Sequence, residues 1–196
     1  APYTTHAQFS DPDTILKLAA PPANLALVAT MYHYARAVAF ERKGDAPSAR
    51  GEIAVLARIE RDTDWKPFAE WNVPAKEIVQ TARLVATGRL AAAAGDLDGA
   101  ARAYDEAVFV EDALAYTEPP YWYYPVRQSL AAIKLRQGKL DEAEKIFRES
   151  MARVRNNGWA LAGLAETYRR KGKSTAEQAT QRAFENAWFG KSDGPT

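Results

Sequence analysis

The sequence predicts an all-α protein built as a row of four helical hairpins, and three observations lead to that prediction. Of the 196 residues, 39 are alanine, the residue with the highest helix propensity. Amphipathic runs of helical period follow one another along the chain and are separated by single glycines. At three of these glycines an alanine follows five residues later, in the pairs Gly44 and Ala49, Gly95 and Ala100, and Gly138 and Ala143.

Each glycine is predicted to end one helix in the left-handed conformation, which glycine adopts without a steric penalty. The small alanine that follows lets the returning helix pack closely against the first. A fourth, looser copy lies at Gly172 and Ala176. The pattern therefore predicts a hairpin around each of the four glycines.

The elements begin with an N-terminal segment, residues 1–23, in which we expect a loop and one short helix with Ser10 as its N-cap. An array over 24–189 follows, and residues 190–196 are expected to form a flexible tail. The hairpins are predicted at about 24–61, 74–114, 122–155 and 157–188. Within them the helices are predicted over 24–43, 46–61, 74–94, 97–114, 122–137, 140–155, 157–171 and 174–188.

The connections between hairpins differ in length. Successive glycines of the pattern are 51, 43 and 34 residues apart, so the first two connections are longer than the last. Helix-breaking residues cluster in both long connections, over 62–74 and 116–125. The second holds five aromatic residues, which either fill the gap between neighbouring hairpins or take part in a binding surface.

The hairpins resemble the tetratricopeptide repeat, whose period is about 34 residues. In the fourth hairpin the repeat's bulky, leucine, small and aromatic positions are occupied by Leu161, Leu164, Ala165 and Tyr168. The resemblance covers about Leu25 to Phe189. The second and third hairpins match it through the residues Leu84, Gly88, Ala100, Tyr104, Ala107, Leu130, Ala131, Ala143 and Phe147. It implies an α-solenoid, a right-handed superhelix of hairpins that binds a protein or peptide in its concave groove.

Two short stretches, 118–127 and 157–161, also look like the C-terminal part of longer bacterial tetratricopeptide-containing proteins of unassigned function. This likeness implies a bacterial protein that is either exported to the periplasm or cytoplasmic. Because residue 1 is alanine, we further expect the chain to be processed or to be part of a longer protein.

The resemblance also indicates which residues would face the groove, since the first helix of each hairpin lines the concave surface. The candidate partner-binding residues are Tyr34, Arg89, Gln128, Arg136, Trp159 and Arg169. Arginine beside aromatic rings suits an extended peptide, because the guanidinium group both hydrogen-bonds and stacks.

Composition excludes several classes of function. The chain has 26 basic and 25 acidic residues, a net charge of +1, which argues against a nucleic-acid partner. No apolar run has the roughly 20 residues of a membrane-spanning helix, so no membrane insertion is expected. Cysteine is absent, which excludes disulfides and thiolate chemistry.

No motif for catalysis, cofactor binding or metal binding stands out, so we expect a non-catalytic scaffold with no cofactor. One alternative is a structural C-terminal segment that supports an upstream domain of a larger repeat protein. The least favoured alternative is a metal-dependent enzyme, for which His33 with Glu70 or Glu41 is the place to look.

Overall fold

The computed structural model describes residues 2–22 and 24–189. Over these residues every regular element is a helix and no strand occurs, which confirms the predicted all-α class. The helices group into two compact units, residues 1–123 and residues 124–196, here called the first unit and the second unit. The predicted tail, 190–196, lies outside the described residues.

The first unit contains seven helices among its described residues. Two neighbouring pairs, α3 with α4 and α6 with α7, form its body, and α6 also packs on α3 and α4. The short helices α1 and α2 pack against α3. The seven are α1 (Pro2–Phe9), α2 (Pro12–Leu16), α3 (Ala26–Arg42), α4 (Ala46–Asp62), α5 (Lys66–Glu70), α6 (Ala75–Ala93) and α7 (Leu97–Asp112).

The second unit has four helices in the part of the chain that the structure describes. They pack as two neighbouring pairs, α8 with α9 and α10 with α11, and α10 also contacts α9 and α8. The four are α8 (Val126–Arg136), α9 (Leu140–Arg153), α10 (Gly158–Arg170) and α11 (Ser174–Ala187).

The four glycines of the sequence pattern end helices as predicted. Gly44, Gly95, Gly138 and Gly172 have φ angles of 75°, 81°, 76° and 69°, in the left-handed region where a side chain would be strained. Each joins the two helices of one neighbouring pair. The structure therefore confirms the helix ends at which the sequence predicted the chain to reverse.

Two further glycines set how closely helices approach. A Cβ atom at Gly88 in α6 would lie 2.9 Å from the Tyr104 ring of α7. One at Gly163 in α10 would lie 2.2 Å from Cζ of Phe147 in α9. Both rings are buried, so glycine makes room for an aromatic core residue in each unit.

Three details differ from the sequence prediction. The N-terminal segment forms two helices instead of one, and the N-cap of the second is Asp11, whose side chain accepts a hydrogen bond from the Thr14 amide. The connection over 62–74 contains the five-residue helix α5. Helix α8 begins at Val126, directly after its N-cap Pro125, and not at residue 122.

Candidate functional site

Tyr34, the first candidate groove residue, lies in the core of the first unit. Its side chain is 1% exposed, and its hydroxyl lies 2.8 Å from the hydroxyl of Tyr123. The Trp122 ring packs edge-on against Tyr34 at a centroid distance of 5.1 Å. A partner would therefore contact Tyr34 only if Trp122 and Tyr123 moved away.

The second long connection, 116–125, thus has a packed part and an exposed part. Trp122 is 3% exposed, whereas Tyr116 is 85% exposed. The Tyr116 hydroxyl donates a hydrogen bond to the Glu118 carboxylate, and this bond raises the pKa of Tyr116. Trp122 and Tyr123 pack against Tyr34 of α3, and Tyr116 remains on the surface.

Arg89, the second candidate, forms an ion pair inside the first unit. Its guanidinium donates to Glu41 Oε2 from Nη2 at 2.8 Å and from Nε at 3.1 Å. These two hydrogen bonds to one carboxylate oxygen link α6 to α3. Arg89 therefore contributes first of all to the contact between two helices.

The sequence suggested a metal site formed by His33 with Glu70 or Glu41, and the structure does not show such a site. His33 Nδ1 lies 2.6 Å from Glu52, whose other oxygen accepts a hydrogen bond from Arg36 at 2.6 Å. Glu41 pairs with Arg89, and Glu70 is exposed on α5. Across residues 2–22 and 24–189, no group of three or more histidine or acidic residues is arranged to hold a metal ion.

The ionisation of Glu52 shows two opposing effects. Burial favours the neutral carboxyl, but the hydrogen bonds from His33 and Arg36 outweigh burial, and the pKa of Glu52 falls below 4.5. Glu52 is therefore an ionised partner that holds α3 and α4 together, and its two hydrogen bonds give it a structural role.

In the second unit, helices α8 and α10 are tied together near both ends. Near the start of each, Asn157 Nδ2 donates to Oε1 of Gln128 at 2.6 Å. Near their C-terminal ends, Arg170 Nη1 donates to the backbone oxygen of Leu135, also at 2.6 Å. The candidate Gln128 thus has a structural partner, and the two hydrogen bonds fix the spacing of α8 and α10.

Exposed or half-exposed residues recur along α8 and α10 at intervals of three or four, the spacing that places side chains on one side of a helix. They include three of the candidate residues, Arg136, Trp159 and Arg169. We call these exposed sides of the two neighbouring helices the α8–α10 face, and its residues are Gln128, Ala132, Arg136, Trp159, Ala162, Glu166 and Arg169.

The α8–α10 face combines an indole ring with guanidinium groups. Trp159 is 39% exposed, and its ring packs edge-on against Trp188 at 4.9 Å. Arg169 makes two hydrogen bonds of 2.6 Å to the Glu166 carboxylate; the hydrogen bond from Arg169 lowers the pKa of Glu166 despite partial burial. This face can stack on an apolar side chain and donate hydrogen bonds to a carbonyl or carboxylate.

One charge cluster of the second unit was not predicted from the sequence. Glu144 on α9, buried in the structure, accepts hydrogen bonds from Lys171 and Lys173, the latter at 3.0 Å, and pairs with Arg148 at 3.0 Å. The Lys171 hydrogen bond has the largest effect; burial opposes it, and Lys173 and Arg148 add to it. Together they lower the pKa of Glu144 from 4.5 to about 2.

Only part of this cluster is visible in the sequence. Arg148 follows Glu144 by one helical turn, a spacing that indicates an ion pair. The two lysines follow Glu144 by 27 and 29 residues, and they reach it because the turn after α10 folds back onto α9. Local spacing cannot reveal such a contact.

The two units also differ in charge. The first unit has 12 basic and 17 acidic residues, a net charge of −5, and the second has 14 basic and 8 acidic residues, a net charge of +6. The near-neutral total of +1 therefore conceals two segments of opposite sign. An anionic partner is attracted to the second unit.

Within the described parts of the chain, no helix has the length and apolar character needed to cross a lipid bilayer. Comparisons of the chain with protein-family models, with curated proteins and with solved structures found no match.

Proposed function

We propose that the chain is a tetratricopeptide-like α-solenoid that serves as a non-catalytic scaffold and binds an extended segment of a partner protein on the α8–α10 face. One observation carries the proposal. On two neighbouring helices linked by side-chain hydrogen bonds, α10 carries the partly exposed Trp159 and the exposed Arg169 on one side, and α8 carries the exposed Arg136. Tryptophan and arginine are the residue types that contribute most to protein interfaces.

The four hairpin glycines and the close helix contacts at Gly88 and Gly163 support the repeat assignment. The second unit is favoured as the binding region because Tyr34 is buried in the first unit, whereas Trp159, Arg136 and Arg169 are exposed in the second. A peptide is the favoured ligand because Trp159 offers an apolar contact while Arg136 and Arg169 offer hydrogen-bond donors.

A peptide-display selection on the whole chain tests this function, followed by measurement of the dissociation constant of the enriched peptide. The double variant Arg136→Glu/Arg169→Glu should bind that peptide at least about tenfold more weakly, because two interface arginines are lost. The matched control is Lys145→Glu/Arg182→Glu, which changes the charge of the same unit equally on α9 and α11. The control should bind within about twofold of the parent chain.

Three results would contradict the proposal. The first is a selection that enriches no peptide, and the second is an enriched peptide that binds the Arg136→Glu/Arg169→Glu variant as tightly as the parent chain. Equal weakening in both double variants would indicate general electrostatic attraction to the second unit and not recognition at the α8–α10 face.

A further inference from the structure

Large apolar side chains are exposed at one end of the second unit. Among the described residues of this unit the exposed large hydrophobic residues are Val154, Trp159 and Phe189, at 42%, 39% and 98% exposure. Val154 directly follows α9, Trp159 is the second residue of α10, and Phe189 lies two residues beyond α11. We call these three residues, together with Trp188, the end patch.

Contacts within the unit bring the chain segments of the end patch together. The Trp188 ring lies 4.9 Å from the Trp159 ring and stacks on Phe184 at 5.6 Å. A Cβ atom at Gly158 would lie 2.6 Å from the Trp188 ring. The residues after α11 therefore cover the start of α10, and Val154 precedes Gly158 by only four residues.

Two arginines lie next to the end patch. Arg153 and Arg155 flank Val154, both are exposed, and the turn over 153–157 contains no acidic residue. The nearest acidic residue along α11 is Glu185, whose carboxylate accepts a hydrogen bond from Gln181. The whole second unit has a net charge of +6, so the end patch lies in a positive field.

We propose that the end patch docks the second unit on an anionic lipid surface. Exposed Trp, Phe and Val side chains enter the boundary between headgroups and acyl chains, while Arg153 and Arg155 lie among the phosphates. Phe189 is almost fully exposed, so a protein ligand would have to supply a complete pocket for it. Lipid chains surround a protruding side chain without such a pocket, which favours a membrane surface over a peptide at this end.

This docking differs from spanning a membrane, for which the described helices are unsuited. It also uses residues outside the α8–α10 face, Val154 and Phe189, and shares Trp159 with that face. Attachment at the end patch would leave Arg136 and Arg169 in place on that face.

Co-sedimentation of the whole chain with vesicles tests the proposal. The chain should bind vesicles of phosphatidylcholine with 30% phosphatidylserine, a composition chosen as about the anionic content of an inner leaflet, and should not bind pure phosphatidylcholine. Val154→Ser/Phe189→Ser should weaken binding by about tenfold or more, because two inserted apolar side chains are lost. Arg155→Gln should weaken it by about fivefold.

The matched control is Phe109→Ser on α7 of the first unit. Phe109 is 79% exposed, but Asp105 and Glu106 lie one turn before it, so an anionic membrane repels its surroundings. This variant loses an exposed phenylalanine of the same kind and should bind vesicles like the parent chain.

The proposal is overturned if the parent chain does not bind the anionic vesicles, or if Val154→Ser/Phe189→Ser binds them unchanged. It is also overturned if Phe109→Ser weakens binding as much as the end-patch variant does. Poly-glutamate added as a competitor gives a further test. If it removes the parent chain and Val154→Ser/Phe189→Ser from the vesicles equally, the end patch has no role in binding, and the result points to an acidic protein partner.

Discussion

Tyr34 of the first unit and Trp159 of the second differ in how far the rest of the chain covers them. In the first unit a long connection supplies Trp122 and Tyr123, which fold over Tyr34 and remove it from the surface. In the second unit the two pattern glycines are only 34 residues apart, and Trp159 and Phe189 stay exposed. The comparison teaches that a long connection can complete a core, as Trp122 does over Tyr34, although Tyr116 of the same connection stays exposed.

The largest predicted effect concerns the covering segment of the first unit. Trp122→Ala should lower the free energy of unfolding of that unit by about 3 kcal/mol, because a buried indole is replaced by a cavity beside Tyr34. Hydrogen exchange followed by mass spectrometry should show faster exchange in α3 and unchanged exchange in α9.

The control for this prediction is Tyr116→Ala, in the same connection but 85% exposed. It should change the free energy of unfolding by no more than about 0.5 kcal/mol. If Trp122→Ala is equally mild, the aromatic residues of the connection do not stabilise the first unit, and the contrast between the units fails.

The second prediction concerns close packing in the second unit. Gly163→Ala should destabilise that unit by about 2 kcal/mol, because the new methyl group meets the buried Phe147 ring and no empty space accepts it. The melting temperature, together with hydrogen exchange in α9 and α10, reports the loss.

The matched variant is Gly51→Ala in α4 of the first unit, where a Cβ atom would meet nothing within 4 Å. This substitution should raise stability by about 0.5–1 kcal/mol, since alanine is the better helix former. A stabilising Gly163→Ala would contradict the view that glycine at this position is required for helix packing.

The sequence alone predicted the local features and missed those that depend on distant residues. The helix ends at Gly44 and Gly138 were predictable because a left-handed residue is a property of a few consecutive residues. The burial of Tyr34 was not predictable, because Tyr123, which covers it, lies 89 residues away. For the candidate site, spacing indicated which residues share a helix face, but not which of them have partners inside the unit.

The same distinction applies to charge. The net charge of the whole chain, +1, gave no sign of a strongly charged region. The net charges of the two units are −5 and +6. Composition averages over the chain, so the opposite signs become visible only once the boundary between the units is known.

The smallest predicted effect concerns Glu144. More cationic side chains surround its carboxylate than surround the carboxylate of Glu52 in the first unit. The pKa of Glu144 is about 2 in the folded chain against an ordinary value of 4.5, so folding favours the ionised carboxylate. This contribution is present above pH 4.5 and is lost as the pH falls from 4.5 toward 2. After allowance for solvent around the lysines we expect it to amount to about 1–2 kcal/mol.

Urea unfolding between pH 2 and 7 should therefore show a steeper loss of second-unit stability in the parent chain than in Glu144→Gln. The control is Glu142→Gln, two residues away on the same helix, whose carboxylate is half-exposed and pairs with Lys134 at 2.7 Å. Its hydrogen bond with Lys134 also lowers the pKa of Glu142, but solvent screens an exposed pair, so this variant should follow the parent profile closely. Parallel profiles for the parent chain and Glu144→Gln would mean that the buried carboxylate does not couple folding of the second unit to pH.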